Sequence, residues 1–357
     1  MLVSDCCLEH TVMSEKIAIV TGANKGVGFG IVRCLCKRFD GVVYLTSRDE
    51  ARGKQAVAVL EKEGFSPRYH QLDVADISSV AKFRDFVEKN HGGIDIIINN
   101  AGVAPGTDEN TYELSKSVID INYGSIVNVE ELLFPLLREN ARVLHISSDC
   151  GHLSNVRNKE WIERLSKKDL TRKDINDFVE WYLDSVKKGT FKQSDFADNG
   201  TIPSYRVSKV AMSALTIVQQ RELEPRGIIV NSMHPGLVST DMTTGIGFYS
   251  IDDAARTPVY LVLEAPPTIK GAYVWHDRTV VDWYDYKANY YFKRNSIFIQ
   301  LIKNTFSKIH IPLIPSTWLL SNSISPALAF VVKHISETFS ANKSTCTTYG
   351  MIDRARE

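Results

Sequence analysis

The feature that most constrains the fold is an alternation of short, mostly apolar β-rich runs with amphipathic helical patterns. Continuously apolar strands are buried on both faces, and right-handed crossovers between them give a doubly wound, mostly parallel α/β sheet. Helices are predicted from the glycine-rich turn that follows the first strand through about Arg38, over Ala51–Glu63 and over Ile77–Asn90. The predicted strands are Lys16–Thr21, Val42–Ser47, Arg68–Leu72, Ile94–Asn99, Arg142–Ser147 and Ile228–Met233.

The segment 151–203, between the fifth and sixth strands, departs from this rhythm and is predicted to be a helical insertion. Thr171 is placed to cap a helix together with Asp174, and Gly189 is placed to end it. Apolar residues between them recur at helical spacing and form one stripe. The stripe consists of Ile175, Phe178, Val179, Tyr182, Leu183 and Val186.

The two ends of the chain lie outside the alternation. Residues 1–13 are predicted to be a disordered extension, and Met13 is an alternative start because the first strand follows it closely. Residues 285–357 have poor periodicity, with short helices expected at most over Phe298–Phe306 and Pro326–Phe339, and are predicted to be a poorly packed or disordered extension. The folded domain is therefore expected to cover residues 14–284.

The composition excludes several classes of protein. Lys plus Arg and Asp plus Glu both number 42, so the chain has no charge surplus for binding nucleic acid or an anionic membrane. The six cysteines lack Cys-x-x-Cys spacing and a histidine cluster, which argues against a metal site and favours thiols in a reducing compartment. No apolar run approaches the ~18 residues of a membrane helix, and the start lacks a signal-peptide pattern. We therefore expect a cytoplasmic protein that binds a small molecule.

The first strand leads into a glycine-rich turn that opens a helix. Gly22, Gly26 and Gly28 let the backbone turn tightly and approach a pyrophosphate, whose negative charge the helix N-terminus attracts. Because a strand precedes the turn and a helix follows it, we interpret it as the dinucleotide-binding end of a Rossmann-like domain. The expected contacts are Gly22, Asn24, Lys25, Gly26, Val27 and Gly28.

The end of the second strand indicates which dinucleotide binds. NAD sites place an acidic residue there, whereas this chain has Ser47 and Arg48. Arg48 can bind a 2′-phosphate through charge-assisted hydrogen bonds, and Lys25 offers a second cation. Asp49 argues weakly for NAD but lies beyond the strand end. Two cationic contacts at roughly 1.5–3 kcal/mol each would favour NADP.

A tyrosine and a lysine have the spacing that acid catalysis needs. Tyr205 and Lys209 lie four positions apart, about one helical turn, so that their side chains share a face. The ammonium is expected to lower the pKa of the phenol from about 10, which would make Tyr205 a proton donor near neutral pH. Because Tyr-x-x-x-Lys also occurs on many solvated helices, the pair needs a cofactor and a carbonyl-binding partner to carry function.

The carboxyl ends of three later strands supply such partners. Asn99-Asn100-Ala101-Gly102 ends the fourth strand with small residues, Ser148 follows the fifth, and Pro235-Gly236 follows the sixth. Ligands of doubly wound sheets bind at this edge. His234 lies beside these residues and is interpreted as a packed side chain.

Together these motifs resemble the short-chain dehydrogenase/reductase family over about Ser14 to Trp283. Local runs such as Gly-Ala-Asn-Lys-Gly, Thr-Ser-Arg-Asp and Thr-Asp-Met are similar to those of its monomeric NADPH-dependent carbonyl reductases. The insertion is also similar, and in that subfamily it covers the face that other members use to form oligomers, which implies a monomer. The matching positions are Thr21–Gly28, Asp73, Val74, Asn99–Gly102, Asn122, Ser148, Tyr205, Lys209, Pro235 and Gly236.

The resemblance implies a role for each matching residue. Tyr205 would donate a proton to the carbonyl oxygen as hydride arrives, Lys209 would hold the ribose, and Ser148 would orient the carbonyl. Asn122 would anchor a water that passes protons to Lys209. The implied NADPH contacts beyond the glycine-rich turn and Arg48 are Asp73, Val74, Asn100, Ala101, Gly102, Tyr205, Lys209, Pro235, Gly236, Val238 and Thr240, and the implied substrate contacts are Ser148, Cys150, Tyr205, Leu237 and Met242.

Departures around the pocket leave the substrate open. Asp149 and Cys150 stand where the vertebrate carbonyl reductases carry larger apolar groups, and Leu237 stands where an aromatic residue is typical. The resemblance implies NADPH-dependent reduction of quinones, ketones and aldehydes. A dehydrogenase or reductase of one physiological alcohol or steroid and a non-catalytic NADP-binding protein are the alternatives.

Overall fold

The computed structural model describes residues 15–105, 109–197 and 203–288. The predictions for residues 1–13 and for the tail helices at Phe298–Phe306 and Pro326–Phe339 therefore lie outside the described residues. Of the predicted extension 285–357, only residues 285–288 are described.

A single eight-stranded sheet organises the described residues. Its strands are β1 Ile17–Val20, β2 Val42–Ser47, β3 Arg68–Gln71, β4 Ile94–Asn99, β5 Leu137–Ile146, β6 Ile229–His234, β7 Tyr273–Trp275 and β8 Val280–Val281. The spatial order is β3-β2-β1-β4-β5-β6-β7-β8, and every neighbouring pair is parallel except β7 with β8. The predicted doubly wound fold is thus confirmed, and its strand order reverses between β1 and β4, where such sheets bind their ligands.

Helices cover both faces of this sheet. They are α1 Gly26–Cys36, α2 Glu50–Lys62, α3 Ile77–His91, α4 Tyr112–Ile119, α5 Ser125–Leu133, α6 Lys159–Leu165, α7 Arg172–Lys187, α8 Pro203–Leu223 and α9 Ile251–Leu263. The helices predicted after the first three strands and in the insertion are present, with small shifts at their ends. In the described part of the chain, none of the helices is long and apolar enough to cross a lipid bilayer.

Strand β1 shows why the sheet needs a helical layer on each face. Ile17, Ala18, Ile19 and Val20 are all 0% exposed. Ile17 and Ile19 belong to a cluster with side chains of α3 and α5, whereas Ala18 and Val20 belong to a cluster with side chains of α1 and α9. Because successive strand residues point to opposite faces, an unbroken apolar strand is stable only when both faces are covered.

The insertion adds a helical layer against α4 and α8. Thr171 and Asp174 form the predicted capping box at the start of α7, in which Thr171 Oγ1 accepts the Asp174 N–H at 3.2 Å. α7 packs against both α4 and α8. Trp161 of α6 packs on Phe178 of α7 with ring centroids 5.4 Å apart. The buried residues of α7 are Ile175, Phe178, Val179 and Tyr182.

Candidate active site

Tyr205, Lys209 and Ser148 meet at the carboxyl ends of β5 and β6. Tyr205 and Lys209 share one face of α8, with Lys209 Nζ 5.7 Å from the centroid of the Tyr205 ring. Lys209 Nζ donates a hydrogen bond to the Ile146 carbonyl at 2.8 Å, which fastens α8 to the end of β5. Ser148 follows that strand end, and its hydroxyl lies within reach of the Tyr205 phenol.

The pKa of Tyr205 is raised, and not lowered as the spacing predicted. Burial raises this pKa most, the charges of Cys150 and Asp149 raise it further, and the hydrogen bond with Ser148 lowers it. Lys209 does not offset the burial, because its ammonium points to the Ile146 carbonyl. The prediction that Lys209 lowers the pKa of Tyr205 is therefore wrong for this structure. The phenol is protonated at neutral pH, which is the state that a proton donor needs.

Burial also changes the acidity of Lys209. Its side chain is 4% exposed, and burial lowers its pKa to about 8. Gly102 packs closely against both side chains, since a Cβ on Gly102 would lie 3.6 Å from Lys209 Nζ and 3.2 Å from Asn122 Oδ1. The small residue after β4 thus lets the lysine and the asparagine lie next to this loop.

A π-helical turn, Asp120–Gly124, joins α4 to α5 and carries Asn122 inward. Such turns are rare and are frequent at functional sites. Asn122 is 0% exposed, and its Oδ1 accepts the Val103 N–H at 2.8 Å. Its Nδ2 donates to the Val103 carbonyl at 2.9 Å and to Ser208 Oγ at 3.0 Å. Asn122 therefore ties the loop after β4 to α8, next to Lys209.

The loop that carries Ser148 is held by two residues that the sequence reasoning missed. The Tyr273 hydroxyl donates to the Ser148 carbonyl. The Trp283 Nε1–H donates to the Gly151 carbonyl at 2.8 Å. Both residues come from the C-terminal edge of the described sheet, so that no local spacing could have identified them.

Asn100 positions the glycine-rich turn after β1. Its Nδ2 donates to the carbonyls of Thr21 at 2.9 Å and Gly22 at 3.1 Å. A Cβ on Gly28 would lie 2.4 Å from that nitrogen, so the close approach requires glycine. α1 begins at Gly26 without a side-chain cap and without an acidic residue in its first turn. Its first N–H groups can therefore bind a phosphate, as the sequence predicted for this turn.

The charged residues beside this turn differ in the hydrogen bonds and ion pairs that their side chains form within the protein. Arg48 is exposed at the end of β2, and within the described ranges its guanidinium makes no hydrogen bond or ion pair. Asp49 is engaged elsewhere, because it accepts the Arg52 N–H and Nε–H, both at 2.9 Å. Lys25 pairs with Asp241 at 2.8 Å, so it would have to exchange this carboxylate for a phosphate.

The remaining predicted cofactor residues lie on the loops after β3 and β6. Asp73 is half-buried, and Val74 is buried. After β6 the chain turns at Gly236, whose φ is 84°, and buries Val238. His234 accepts the Asp149 N–H through Nδ1 at 2.9 Å and lies against an indole, as expected for a packed residue. The other predicted positions on this loop are the half-buried Pro235 and Thr240.

The predicted substrate residues differ in exposure. Cys150 is 5% exposed, which leaves its side chain little surface to offer a substrate. The loop after β6 presents exposed apolar side chains instead. They are Leu237 at 42%, Met242 at 51%, Ile246 at 36% and Phe248 at 56% exposure.

Several known proteins are similar to this chain. A family model described as short chain dehydrogenase matches residues 16–159 and 194–247, and the unmatched residues between these ranges include all of α7. The NADPH carbonyl reductase 3 of Mus musculus is 37% identical over 278 residues, which cover 75% of this chain and 99% of that protein. The NADPH carbonyl reductase 1 of Oryctolagus cuniculus is 36% identical, covering 75% and 96%. The solved structure of salutaridine reductase from Papaver somniferum is 30% identical with a TM-score of 0.66, covering 72% of this chain and 99% of that one.

Proposed function

The chain belongs to the short-chain dehydrogenase/reductase family, and on that premise we propose that it reduces the carbonyl groups of ketones, quinones and aldehydes with Tyr205 as the proton donor. It is an NADPH-dependent oxidoreductase of the carbonyl reductase type, in line with the names of its relatives. The observation that carries the proposal is the convergence of Ser148, Tyr205 and Lys209 at the carboxyl end of β5, on the sheet edge where the glycine-rich turn after β1 also opens α1.

The proposed reaction delivers a hydride and a proton to one carbonyl group. Bound NADPH supplies the hydride. Ser148 hydrogen-bonds the carbonyl oxygen, and Tyr205 transfers its phenolic proton to that oxygen, so that the product is an alcohol and the phenol becomes a phenolate. Lys209, whose pKa is about 8, can return a proton to the phenolate near neutral pH. Asn122, buried beside Lys209, is proposed to anchor the water through which that proton arrives.

The residues around the glycine-rich turn fit NADPH in size and charge. Glycine at positions 22 and 28 lets the turn lie against the end of β4, where a Cβ would meet Ala101 or Asn100, and the exposed Arg48 is proposed to bind the 2′-phosphate. Asp73 and Val74 are proposed to contact the adenine. The remaining proposed contacts are Asn24, Lys25, Gly26 and Val27 with the phosphates, Asn100, Ala101 and Gly102 at the end of β4, Tyr205 and Lys209 with the ribose, and Pro235, Gly236, Val238 and Thr240 with the nicotinamide end.

An assay of NADPH oxidation tests this function. The purified protein is expected to oxidise NADPH in the presence of menadione or isatin and to form the corresponding reduced product. NADPH binding without turnover across a panel of carbonyl compounds would contradict the proposal and would favour a non-catalytic NADP-binding protein. Turnover of a single alcohol or steroid, with none of the broader panel reduced, would favour the specific dehydrogenase.

The cofactor preference depends on Arg48. Arg48→Leu is expected to raise the KM for NADPH by about 10- to 100-fold, because a hydrogen bond to a charged group contributes roughly 1.5–3 kcal/mol. The KM for NADH should change little, since NADH lacks the 2′-phosphate. Arg256→Leu is the matched control, because Arg256 is an exposed arginine on α9 and its replacement changes the net charge equally. Equal KM values for NADPH in Arg48→Leu and the wild type would contradict the assignment.

We also propose that the protein is a monomer, because α7 of the insertion packs over α4 and α8. A helix face that is covered within one chain cannot also pack against a second copy. Sedimentation equilibrium over a range of concentrations is expected to give the mass of one chain throughout. A mass of two or four chains at the lowest concentrations would contradict the proposal.

A further inference from the structure

Asp149, which none of the proposed catalytic steps uses, lies directly beside the catalytic hydroxyl. The Ser148 hydroxyl donates a hydrogen bond to Asp149 Oδ1 at 2.8 Å. The Cys150 N–H donates to the same oxygen at 2.9 Å. The side chain of Asp149 is half-buried, and its charge raises the pKa of both Tyr205 and Tyr273. A carboxylate therefore lies close enough to interact electrostatically with the two groups that would bind a carbonyl oxygen, Ser148 and Tyr205.

Among the described residues, no cationic side chain forms an ion pair with this carboxylate. In the ranges 15–105, 109–197 and 203–288, Asp149 forms no ion pair with a lysine, arginine or histidine, and its Oδ2 has no hydrogen-bond donor. The neighbouring Lys209 ammonium points to the Ile146 carbonyl. His234 uses Nδ1 to accept the Asp149 backbone N–H, so that this nitrogen carries no proton. One carboxylate oxygen is thus left for a ligand.

The position of Asp149 has a consequence for the substrate. A hydroxyl has one proton, and Ser148 directs it to Asp149, whereas the reaction needs it on the carbonyl oxygen. A carbonyl oxygen that hydrogen-bonds Ser148 would lie within about 5.5 Å of the carboxylate. A substrate with a cationic N–H donor at that distance would bind Asp149 and leave the Ser148 hydroxyl free to donate its hydrogen bond to the carbonyl oxygen.

We propose that Asp149 is a specificity-determining residue that selects carbonyl compounds carrying a protonated amine next to the carbonyl carbon. The inference rests on the proposed carbonyl reduction, because it names the substrate class of the same site. A carboxylate at the same place on the substrate is disfavoured, since two like charges at this distance repel each other.

A pair of ketones with the same shape tests the proposal. 2-(Dimethylamino)acetophenone in its protonated form and 3-methyl-1-phenylbutan-1-one differ only in N–H⁺ against C–H, and 4-oxo-4-phenylbutanoate supplies the anion. The ratio of kcat/KM for the amine to kcat/KM for its neutral counterpart is measured in the wild type and in Asp149→Asn. The greater electrophilicity of the aminoketone affects both enzymes equally and cancels in this comparison.

Asp149→Asn is expected to lower this ratio about tenfold, because a charge-assisted hydrogen bond becomes a neutral one, and to relieve the discrimination against the anion. Asp184→Asn, which removes an exposed carboxylate of α7, should leave the ratio unchanged. An equal ratio in wild type and Asp149→Asn overturns the proposal. If the wild type reduces no member of the panel, the proposed function fails instead.

A second measurement needs no variant and covers the case in which Asp149→Asn does not fold. Added salt screens the attraction between Asp149 and the ammonium, so that the ratio in the wild type should fall as ionic strength rises. The kcat/KM for the neutral ketone is the internal reference. A ratio that is insensitive to salt overturns the proposal.

Discussion

Tyr205→Phe is expected to lower kcat for carbonyl reduction about 10³-fold, far more than it weakens the binding of NADPH, because Tyr205 is only one of the proposed ribose contacts. The phenylalanine keeps the aromatic ring on α8 and removes only the hydroxyl that would give its proton to the carbonyl oxygen. A positioned general acid contributes typically 10²–10⁴-fold to the rate. Steady-state kinetics with menadione and a fluorescence titration with NADPH measure the two quantities separately.

A second tyrosine provides the matched control for this change. Tyr182 of α7 is fully buried, and its hydroxyl donates to Asn110 Oδ1 at 2.6 Å. Tyr182→Phe therefore removes a buried, hydrogen-bonded phenol outside the site, and should lower the free energy of unfolding without lowering kcat. If Tyr205→Phe retained the wild-type kcat, the assignment of the proton donor would be wrong. If both variants lost activity in parallel, the effect would be one of stability.

Gly22→Ala is expected to weaken NADPH binding at least tenfold and to lower the melting temperature. The φ angle of Gly22 is 60°, which costs an alanine about 1–2 kcal/mol. A Cβ at this position would also lie 2.8 Å from Ala101 Cα, so that the end of β4 must move. Such overpacking costs about 1–3 kcal/mol more, and 1.4 kcal/mol corresponds to a tenfold change in affinity. Isothermal titration with NADPH and thermal unfolding measure the two effects.

Gly189→Ala separates backbone strain from the clash with Ala101. Gly189 follows α7 with a φ of 67°, and a Cβ there would meet no atom within 4 Å. Gly189→Ala should therefore lower the stability of the protein only through backbone strain and keep the NADPH affinity of the wild type. Wild-type affinity in Gly22→Ala would show that the close approach between the turn and β4 is not needed for the cofactor.

Elements whose pattern is local were predicted well from the sequence. The predicted bounds of β2 and β4 agree with the observed ones, because each strand is an apolar run that ends at polar or small residues. The capping box of α7 is also a local signal, since it needs only Thr171 and Asp174.

Elements with weak local signals were missed. α9 contains Pro258, which interrupts the helical pattern, although the cap of Ser250 on the Asp253 N–H was a usable signal. β7 and β8 are too short for any periodicity. β7 forms because β6, which is distant in sequence, offers it hydrogen bonds, and β8 pairs in turn with β7.

The sequence by itself determined the order of strands and helices, the glycine-rich turn and the one-turn spacing of Tyr205 and Lys209, because each follows from neighbouring residues. Only the tertiary structure decided the acidity of the phenol, since burial outweighs the lysine that the spacing places nearby. It also decided the partners of Ser148. Tyr273 holds its carbonyl from 125 positions away, and the Ser148 hydroxyl donates a hydrogen bond to the adjacent Asp149 only because the loop folds in this way. Desolvation and long-range contacts arise when the chain packs, so no pattern of adjacent residues can encode them alone.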